Sequence, residues 1–321
     1  MNTKGGEILS FYCYSALDCT SSMKNTHLQH PEDAILTGDL SVLDWFAAPD
    51  SHISTKMDGA PAIVWGTNPA TGNKFVGTKS VFNKVKIKIN ETHTDIDRNH
   101  SGSVADILHH CLDYLPDVNG IIQGDFIGFG GDDTFCPNTI TYTFPEVIRE
   151  NIIIAPHTYY TADKDLRDAV AHPLKFRITD TMYCKIVQPE VKLHPYREDL
   201  YDMSLFAKQM STLCEFVDDK QATKIKKSIN DCIRDGYEVD ENEIAQKNDC
   251  DINLIRLWKL VATMKDDLFW YITEDDLIDC KIGDEESQHE GYVISNQYGV
   301  FKVVDRPTFS RANFTIQKSW S

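Results

Sequence analysis

A chain of 321 residues with 41% hydrophobic and 25% charged residues can form one large domain or two ordinary ones, with an ample core. The net charge of −17 argues against a protein that coats nucleic acid nonspecifically, although an acidic enzyme can still contain a local basic channel. No apolar run is long enough to span a bilayer, and the nine cysteines include no Cys-x-x-Cys pair. These features exclude a disulfide framework and predict a soluble protein of the cytoplasm.

Periodicity and turn residues divide the chain into a mixed lead-in, a strand-rich part and a helical part. Two short helices are expected at 30–35 and 39–48. Strands broken by turns follow from residue 53 to about 190, with one helix stopped by Pro116. From about 195 to 286 apolar residues recur at helical spacing, and strand character then returns in "HEGYVISNQYGVFKVVDR".

This order of elements predicts an α+β fold with a discontinuous core. Residues 1–194 form the first part of the core and residues 287–321 form the second part. Residues 195–286 form an inserted or accessory helical unit between them.

One lysine-rich stretch, "NKVKIKIN", alternates cations with apolar residues. A strand here would place Lys84, Lys86 and Lys88 on one face and the apolar side chains on the other. A solvated strand face is the ordinary interpretation of such a pattern. In an acidic protein, the one-sided basic face is our candidate for guiding a nucleic-acid backbone.

The stretch "STKMDGAPAIVWGT" places Lys56 two residues before an Asp-Gly pair. Asp-Gly is typical of a turn, and a nearby lysine is usually only solvated. The alternative is a lysine nucleophile presented by the turn beside a nucleotide. This stretch alone favours the surface turn, so the other motifs must decide.

Three further stretches follow in order: "QGDFIGF" with Asp125, "HEGYVIS" with Glu290 and "GVFKVVD" with Lys302. Together with Lys56-Met57-Asp58-Gly59 they resemble motifs I, III, IV and V of the covalent nucleotidyltransferases, which include polynucleotide ligases and messenger-RNA capping enzymes. The resemblance spans roughly residues 50–310. It implies a ligase-type nucleotidyltransferase core with ATP-grasp-like antiparallel sheets. The ending "FKVVDRPTFSRANF" also resembles ligase-like proteins of tailed bacteriophages.

The resemblance implies that Lys56 attacks the α-phosphate of ATP and forms a lysyl-AMP phosphoramidate. Lys302 matches the phosphate-contacting lysine of the family and would help to lower the pKa of Lys56. Glu290, together with Asp125, would hold Mg²⁺ or Mn²⁺. Asp125 stands where the family usually has Glu, at the ribose hydroxyls.

Other residues are expected around the nucleotide. Asp58 and Gly59 would shape the turn that presents Lys56. Tyr142 and Phe144 alternate in "TITYTFPEV" and are candidates for the face on which a purine stacks, with core packing as the alternative. Lys79 matches the basic residue that follows motif I in the family.

Two departures from the family pattern bear on activity and on the donor nucleotide. Pro61 stands where many DNA ligases and capping enzymes have Arg, and Val304 stands where the family often has a second lysine. After motif V only "DRPTFSRANFTIQKSWS" remains, which is too short for the OB-fold of DNA ligases and capping enzymes.

We therefore expect an ATP-dependent polynucleotide ligase that joins a 5′-phosphate to a 3′-hydroxyl, with RNA favoured over DNA as the nucleic-acid partner. No membrane and no obligate protein partner is expected, and the setting would be the host cytoplasm if a phage encodes the chain. Two alternatives stay open. One is an adenylyltransferase with a protein or small-molecule acceptor. The other is a degenerate ligase fold that binds nucleotide without covalent transfer.

Overall fold

A computed structural model describes residues 23–24, 29–274 and 278–308, and it combines α-helices with mainly antiparallel sheets. The helices are α1 (Pro31–Ala34), α2 (Ser41–Ala47), α3 (His93–Asn99), α4 (Gly102–Tyr114), α5 (Glu198–Ser211), α6 (Asp219–Asp235), α7 (Glu241–Asn248) and α8 (Ile252–Leu268). The strands are β1 (Met23–Lys24), β2 (His52–Lys56), β3 (Ala62–Thr67), β4 (Lys74–Gly77), β5 (Ile121–Phe129), β6 (Thr134–Phe135), β7 (Thr141–Thr143), β8 (Ile152–Thr161), β9 (Val170–Pro173), β10 (Cys184–Ile186), β11 (Val191–Leu193), β12 (Ile272–Glu274), β13 (Asp279–Ile282), β14 (Glu285–Ser287), β15 (Gly291–Asn296) and β16 (Gly299–Val303). The predicted α+β class is confirmed.

The largest sheet has the strand order β1-β9-β8-β5-β3-β4, and β10 also pairs with β8. All of its pairings are antiparallel except the one between β10 and β8. The central strand β5 is apolar and almost continuously buried. Helix α4 covers one face of this sheet, where Leu108 and Cys111 pack with Trp65 and Ile122.

Three smaller sheets complete the β structure of the described residues: β16-β15-β2, β14-β13-β7-β6 and the pair β11-β12. The predicted "NQYG" turn joins β15 and β16, where the Asn296 side chain accepts a hydrogen bond from the backbone N–H of Tyr298 (2.9 Å). The sheet with β7 packs on the large sheet through Ile140, Ile153 and Met57. Residue 57 follows β2, so the polypeptide passes from the small β16-β15-β2 sheet to the large sheet directly after Lys56.

The predicted strand at Lys84, Lys86 and Lys88 is wrong. Residues 83–89 have no regular strand structure, and the Val85 side chain is 91% exposed. Lys88 is held by two neighbouring segments of the chain. Its backbone N–H donates to the Ser80 carbonyl (3.3 Å), and its ammonium donates to the Asn99 carbonyl (2.6 Å). An alternating pattern forms a strand only where an apolar surface covers one face, and here none covers Val85.

The helical part shares one hydrophobic core with the small β16-β15-β2 sheet. Buried residues of α1, α2 and α5–α8 belong to the same cluster as Ile294 and Phe301 of that sheet. Trp45 of α2 meets Phe301 edge to face, with ring centroids 5.1 Å apart. The helices end at Leu268, and β12, β13 and β14 follow, the last of which ends at Ser287. The helices therefore support the sheet that carries Lys56.

A cluster of buried charges ties α1 and α8 to the chain after β16. The Lys265 ammonium and the Arg306 guanidinium both donate to Glu32 Oε1, at 2.7 Å and 3.0 Å. Arg306 also donates to Asp33 Oδ1 (2.9 Å) and to Asn230 Oδ1 (2.5 Å). These charges are almost fully removed from water, so each needs its partner to stay in the core.

Replacing Glu32 by Gln is expected to lower the free energy of unfolding by about 3–5 kcal/mol, because two buried cations lose their shared anion. Burial raises the pKa of Glu32, but Lys265 and Arg306 outweigh it and the pKa lies below its ordinary value. A lowered pKa stabilises the fold above the unfolded-state pKa, and this contribution is lost as pH falls through the folded-state pKa. The wild-type advantage over Glu32→Gln should therefore shrink in acid.

Urea unfolding at neutral pH and then stepwise through the acid range measures this difference. Arg98→Gln is the control, because Arg98 is 67% exposed in its ion pair with Asp95 and should contribute little. An equal loss in both variants, or a Glu32→Gln difference that grows in acid, would contradict the assignment.

Candidate active site

Lys56 lies at the end of β2, where pairing with β15 places it opposite Gly291. The residue before Gly291 is Glu290, and the Lys56 ammonium donates a hydrogen bond to Glu290 Oε2. Asp125 approaches from the large sheet, with 3.8 Å between Lys56 Nζ and Asp125 Oδ2. The three side chains are only 11–19% exposed. Two carboxylates from different sheets thus share one ammonium group.

The crossing from β2 to β3 depends on Gly59. A Cβ atom at this position would lie 2.7 Å from the Phe126 carbonyl and 2.8 Å from Asp125 Cβ, so only glycine lets the backbone pass so close to β5. The next residue, Ala60, donates its N–H to that same carbonyl (3.0 Å), and the Pro61 carbonyl accepts from the Phe126 N–H (3.1 Å). This contact brings the segment after Lys56 against the strand that carries Asp125.

Asp58 shapes the turn, as predicted, and its carboxylate is occupied by protein groups. One oxygen accepts from the Asn138 side chain (2.8 Å), and the other accepts from the backbone N–H groups of Thr139 (2.8 Å) and Ile140 (3.2 Å). The Asp58 N–H donates to the Tyr142 hydroxyl (2.6 Å). Asp58 therefore holds the loop before β7, and both of its carboxylate oxygens are occupied by protein groups.

The prediction that Tyr142 and Phe144 offer a face to a purine is wrong. The Tyr142 ring is 0% exposed, and Phe144 is 6% exposed and packs edge to face with Phe135 at 5.8 Å. Both belong to the core between two sheets, with Ile140 and Ile153. Tyr142 instead supports the Lys56 turn through its hydroxyl.

The sequence interpretation missed His157. Pairing between β5 and β8 runs from Gln123 opposite Thr158 to Gly124 opposite Pro156, which leaves His157 as the extra residue of a bulge beside Asp125. His157 Nε2 lies 3.5 Å from Asp125 Oδ2. A proline inside an apolar strand is the available signal, because it has no N–H for the ladder and favours a bulge.

The two lysines of the site differ in electrostatics. Burial favours the neutral amine of Lys56, but Glu290 and Asp125 outweigh it, so the pKa of Lys56 lies above its ordinary value. Burial lowers the pKa of Lys302; Glu290 opposes this shift, whereas Lys56 and Arg306 add to it. Lys56 is therefore a paired ammonium, whereas the surroundings of Lys302 favour its neutral form more than water does.

The carboxylates of Asp125 and Glu290 have pKa values shifted in opposite directions. Burial acts to raise the pKa of Asp125, but His157, Lys56 and Lys79 outweigh it and the pKa is lowered. Burial raises the pKa of Glu290 above its ordinary value, and Lys56 opposes this only in part. Asp125 is thus held ionised, whereas Glu290 accepts a proton more readily.

Lys302 lies on β16, opposite Val293 of β15, and its backbone N–H donates to the Gln29 carbonyl (3.0 Å). The charges of Glu290 and Lys56 act on its ammonium group, so Lys302 belongs to the electrostatic surroundings of Lys56. Val304, two residues further on, is buried at 3% exposure.

A divalent cation fits the donor chemistry of this site in part. Glu290 and Asp125 supply buried carboxylate oxygens, the ligands that Mg²⁺ and Mn²⁺ prefer. Within the described ranges, no group of three or more His, Cys, Asp and Glu side chains is placed to hold a metal ion. Phosphate oxygens and water would have to complete its coordination, as is usual for Mg²⁺ bound with a nucleotide.

A family model described as "Family of unknown function (DUF6267)" matches residues 25–248 and 202–318. The chain belongs to this family. No curated protein and no solved structure matches it. Among the residues that the structure describes, this family member has no helix long and apolar enough to cross a bilayer.

Tyr142→Phe is expected to lower the free energy of unfolding by about 1–3 kcal/mol, because the buried Asp58 N–H loses its acceptor while the ring volume is kept. Thermal or urea unfolding measures the loss. Tyr160→Phe is the matched control, since its buried hydroxyl donates to Gln123 Oε1 (2.8 Å) away from the turn. If Tyr142 were a base platform instead, Tyr142→Phe would leave stability unchanged.

Proposed function

We propose that this protein is an ATP-dependent nucleotidyltransferase of the ligase type, with Lys56 as the residue that becomes adenylylated. One observation carries the proposal. Three segments far apart in the chain meet at the Lys56 ammonium through Asp125 and Glu290, and Lys302 of a fourth segment has its pKa shifted by the charges of Glu290 and Lys56; the four match family motifs in order. A chance alignment of short motifs would not require these side chains to meet.

In the proposed first step, the neutral amine of Lys56 attacks the α-phosphorus of ATP. A P–N bond forms, the bond from the α-phosphorus to the oxygen bridging to the β-phosphate breaks, and pyrophosphate leaves. At an ordinary lysine pKa, deprotonation at neutral pH costs about 4–5 kcal/mol. Glu290 touches the ammonium and has a raised pKa, so it is the group that receives the proton.

The remaining charges of the site support the binding of a triphosphate. Lys302 and Lys79 supply cations beside Asp125 and Glu290, and Lys302 would contact phosphate oxygens. A bound Mg²⁺ or Mn²⁺, held by Asp125 directly and by Glu290 through water, would neutralise phosphate charge. Asp125 would otherwise face the ribose hydroxyls, with His157 holding its orientation.

In the second and third steps, AMP passes from Lys56 to a 5′-phosphate end, and a 3′-hydroxyl then displaces AMP. A nucleic-acid acceptor, with RNA favoured over DNA, rests on the resemblance to ligases. An adenylyltransferase with a protein or small-molecule acceptor would use the same first step.

The second candidate is a nucleotide-binding module without covalent transfer. It is favoured by the pairing of Lys56 with two carboxylates, because a buried lysine with a purely structural role also needs such partners. It is also favoured by Pro61 and Val304, which stand where many covalent nucleotidyltransferases have a cation. Val304 is buried, and the Pro61 carbonyl accepts a hydrogen bond from β5. This candidate predicts ATP binding with no adduct.

Incubation with α-labelled ATP and Mg²⁺, followed by a denaturing gel, is expected to label the wild-type chain. Lys56→Ala should carry no label, because the amine that forms the P–N bond is gone. Lys84→Ala is the control, since Lys84 is an exposed lysine of an irregular segment and should keep full labelling.

Peptide mass mapping of the wild-type adduct should place AMP on Lys56. An adduct on another residue, or no adduct in folded wild-type protein that binds ATP, would reject the proposal and support the binding module. Circular dichroism of Lys56→Ala separates loss of the nucleophile from loss of the fold.

The rate of labelling is expected to rise with pH, because only the neutral amine reacts and the pKa of Lys56 is raised. Asp125→Asn removes one of the charges that raise this pKa, so its pH–rate profile should shift to lower pH. Asp97→Asn, which removes an acid paired with His109 in another part of the fold, should leave the profile unchanged. A shift of the Asp125→Asn profile to higher pH would contradict the assigned electrostatics.

A further inference from the structure

An exposed Lys-Phe-Arg tripeptide separates two cavities near the proposed active site. Lys175, Phe176 and Arg177 are all exposed, and the large apolar ring of Phe176 is 46% exposed. Phe176 and Arg177 line a cavity of about 620 Å³ on one side. With Lys175, they also line a cavity of about 140 Å³ on the side of β2.

The tripeptide is held in place by hydrogen bonds on both sides. The Gln188 side chain donates to the Phe176 carbonyl (3.2 Å) and accepts from the Ile178 N–H (2.8 Å). His52 Nε2 lies 3.0 Å from the Leu174 carbonyl, and the Leu174 side chain is buried. The exposure of Phe176 therefore belongs to an ordered loop, which reduces the entropy lost on binding.

The Phe176 ring also packs against a second aromatic ring. Tyr159 meets it edge to face, with ring centroids 5.8 Å apart. An exposed aromatic ring that is held in place by such a contact is suited to stacking on a flat ligand group. A nucleic-acid base is such a group.

The charge around the loop favours an anionic ligand. The acids that line the two cavities are each paired with a lysine: Asp117 with Lys74 (3.4 Å), Asp180 with Lys185 (2.6 Å) and Glu190 with Lys192 (3.1 Å). Lys175 and Arg177 form no ion pair with any residue that the structure describes. Two cations are thus left to act on a ligand, in a protein whose net charge is −17.

The smaller cavity leads toward the nucleophile. His52, Ser54 and Lys56 lie on the same face of β2 because side chains alternate along a strand. His52 contacts the tripeptide loop, Ser54 lines the cavity, and Lys56 follows at a distance of about 13 Å along the strand from His52. His52, which contacts the loop, and Lys56 thus lie on the same face of one strand.

We propose that Lys175, Phe176 and Arg177 form the docking site for a single strand of the acceptor nucleic acid, with a base stacked on Phe176 and backbone phosphates contacted by the two cations. This inference rests on the proposed ligase-type function, because it names where the acceptor of that reaction binds. It replaces the "NKVKIKIN" segment, whose lysines do not form a common face, as the site that guides the strand.

Fluorescence anisotropy with a short, single-stranded, 5′-phosphorylated RNA tests the site in the absence of ATP, with a DNA strand of the same sequence as a second arm. Phe176→Ala should weaken binding about 5- to 150-fold, the range typical for loss of one stacked base. Phe176→Trp should retain affinity, because it keeps an aromatic face. Phe176→Leu should bind as weakly as Phe176→Ala, since it keeps apolar bulk but no ring.

The double variant Lys175→Gln/Arg177→Gln should reduce the slope of log K against log salt by about 1.4, which corresponds to two phosphate contacts on a single strand. Lys84→Gln/Lys86→Gln is the matched control because it removes the same charge from an exposed segment, and its slope should stay at the wild-type value. Thermal unfolding should show that all of these surface variants are folded.

Labelling of Lys56 with α-labelled ATP, without RNA, separates this inference from the proposed function. Every docking variant should label at the wild-type rate. Normal labelling together with unchanged RNA binding in Phe176→Ala and Lys175→Gln/Arg177→Gln would overturn the docking site and leave the function intact. Absent labelling in a wild type whose RNA binding responds as expected would instead reject the transfer reaction and support the binding site.

An equal loss of RNA binding in Lys84→Gln/Lys86→Gln would also overturn the site, because the attraction would then depend on overall charge. Wild-type protein that binds neither strand would overturn it as well.

Discussion

The shared ammonium of Lys56 is the interaction on which the rest of this structure depends. Asp125 belongs to the large sheet, whereas Glu290 precedes a strand of the small sheet, so the lysine joins the two. The opposite charges of the three groups compensate one another for the loss of water around them. The backbone at Gly59 passes close to β5, and the Asp58 carboxylate accepts hydrogen bonds from the loop before β7. These contacts hold the chain where Lys56 can reach Asp125 and Glu290.

The charged cluster around Glu32 extends the same principle to the helical part. Arg306 follows β16 closely, and its contacts with Glu32 and Asp33 tie the end of that strand to α1. Arg306 also donates to Asn230 of α6, and Lys265 of α8 shares Glu32 with it. Helices of the predicted accessory unit therefore help to hold the strand that carries Lys302, and the charge of Arg306 lowers the pKa of that lysine.

Unequal environments give similar residues different chemical roles. Asp125 and Glu290 both reach Lys56, yet His157 and Lys79 keep Asp125 ionised while burial makes Glu290 the better proton acceptor. At the Lys175–Arg177 loop, each acid that lines the cavities is paired with a lysine, and Lys175 and Arg177 form no ion pair with a residue that the structure describes. In both places the local arrangement of charges, and not the net charge of the chain, sets the electrostatic surroundings.

The sequence by itself determined the local elements and the order of the motifs. Helix α4 and strands β5, β8 and β15 lie where periodicity predicts them, because periodicity and turn chemistry are properties of neighbouring residues. Only the tertiary structure decided what those elements face. The alternating residues 84–89 form no strand, because no apolar surface covers them. Tyr142 is buried between two sheets, and its hydroxyl accepts a hydrogen bond from the Asp58 N–H next to Lys56. His157 reached Asp125 through a bulge opposite Gly124, a pairing between segments distant in sequence that no local pattern specifies.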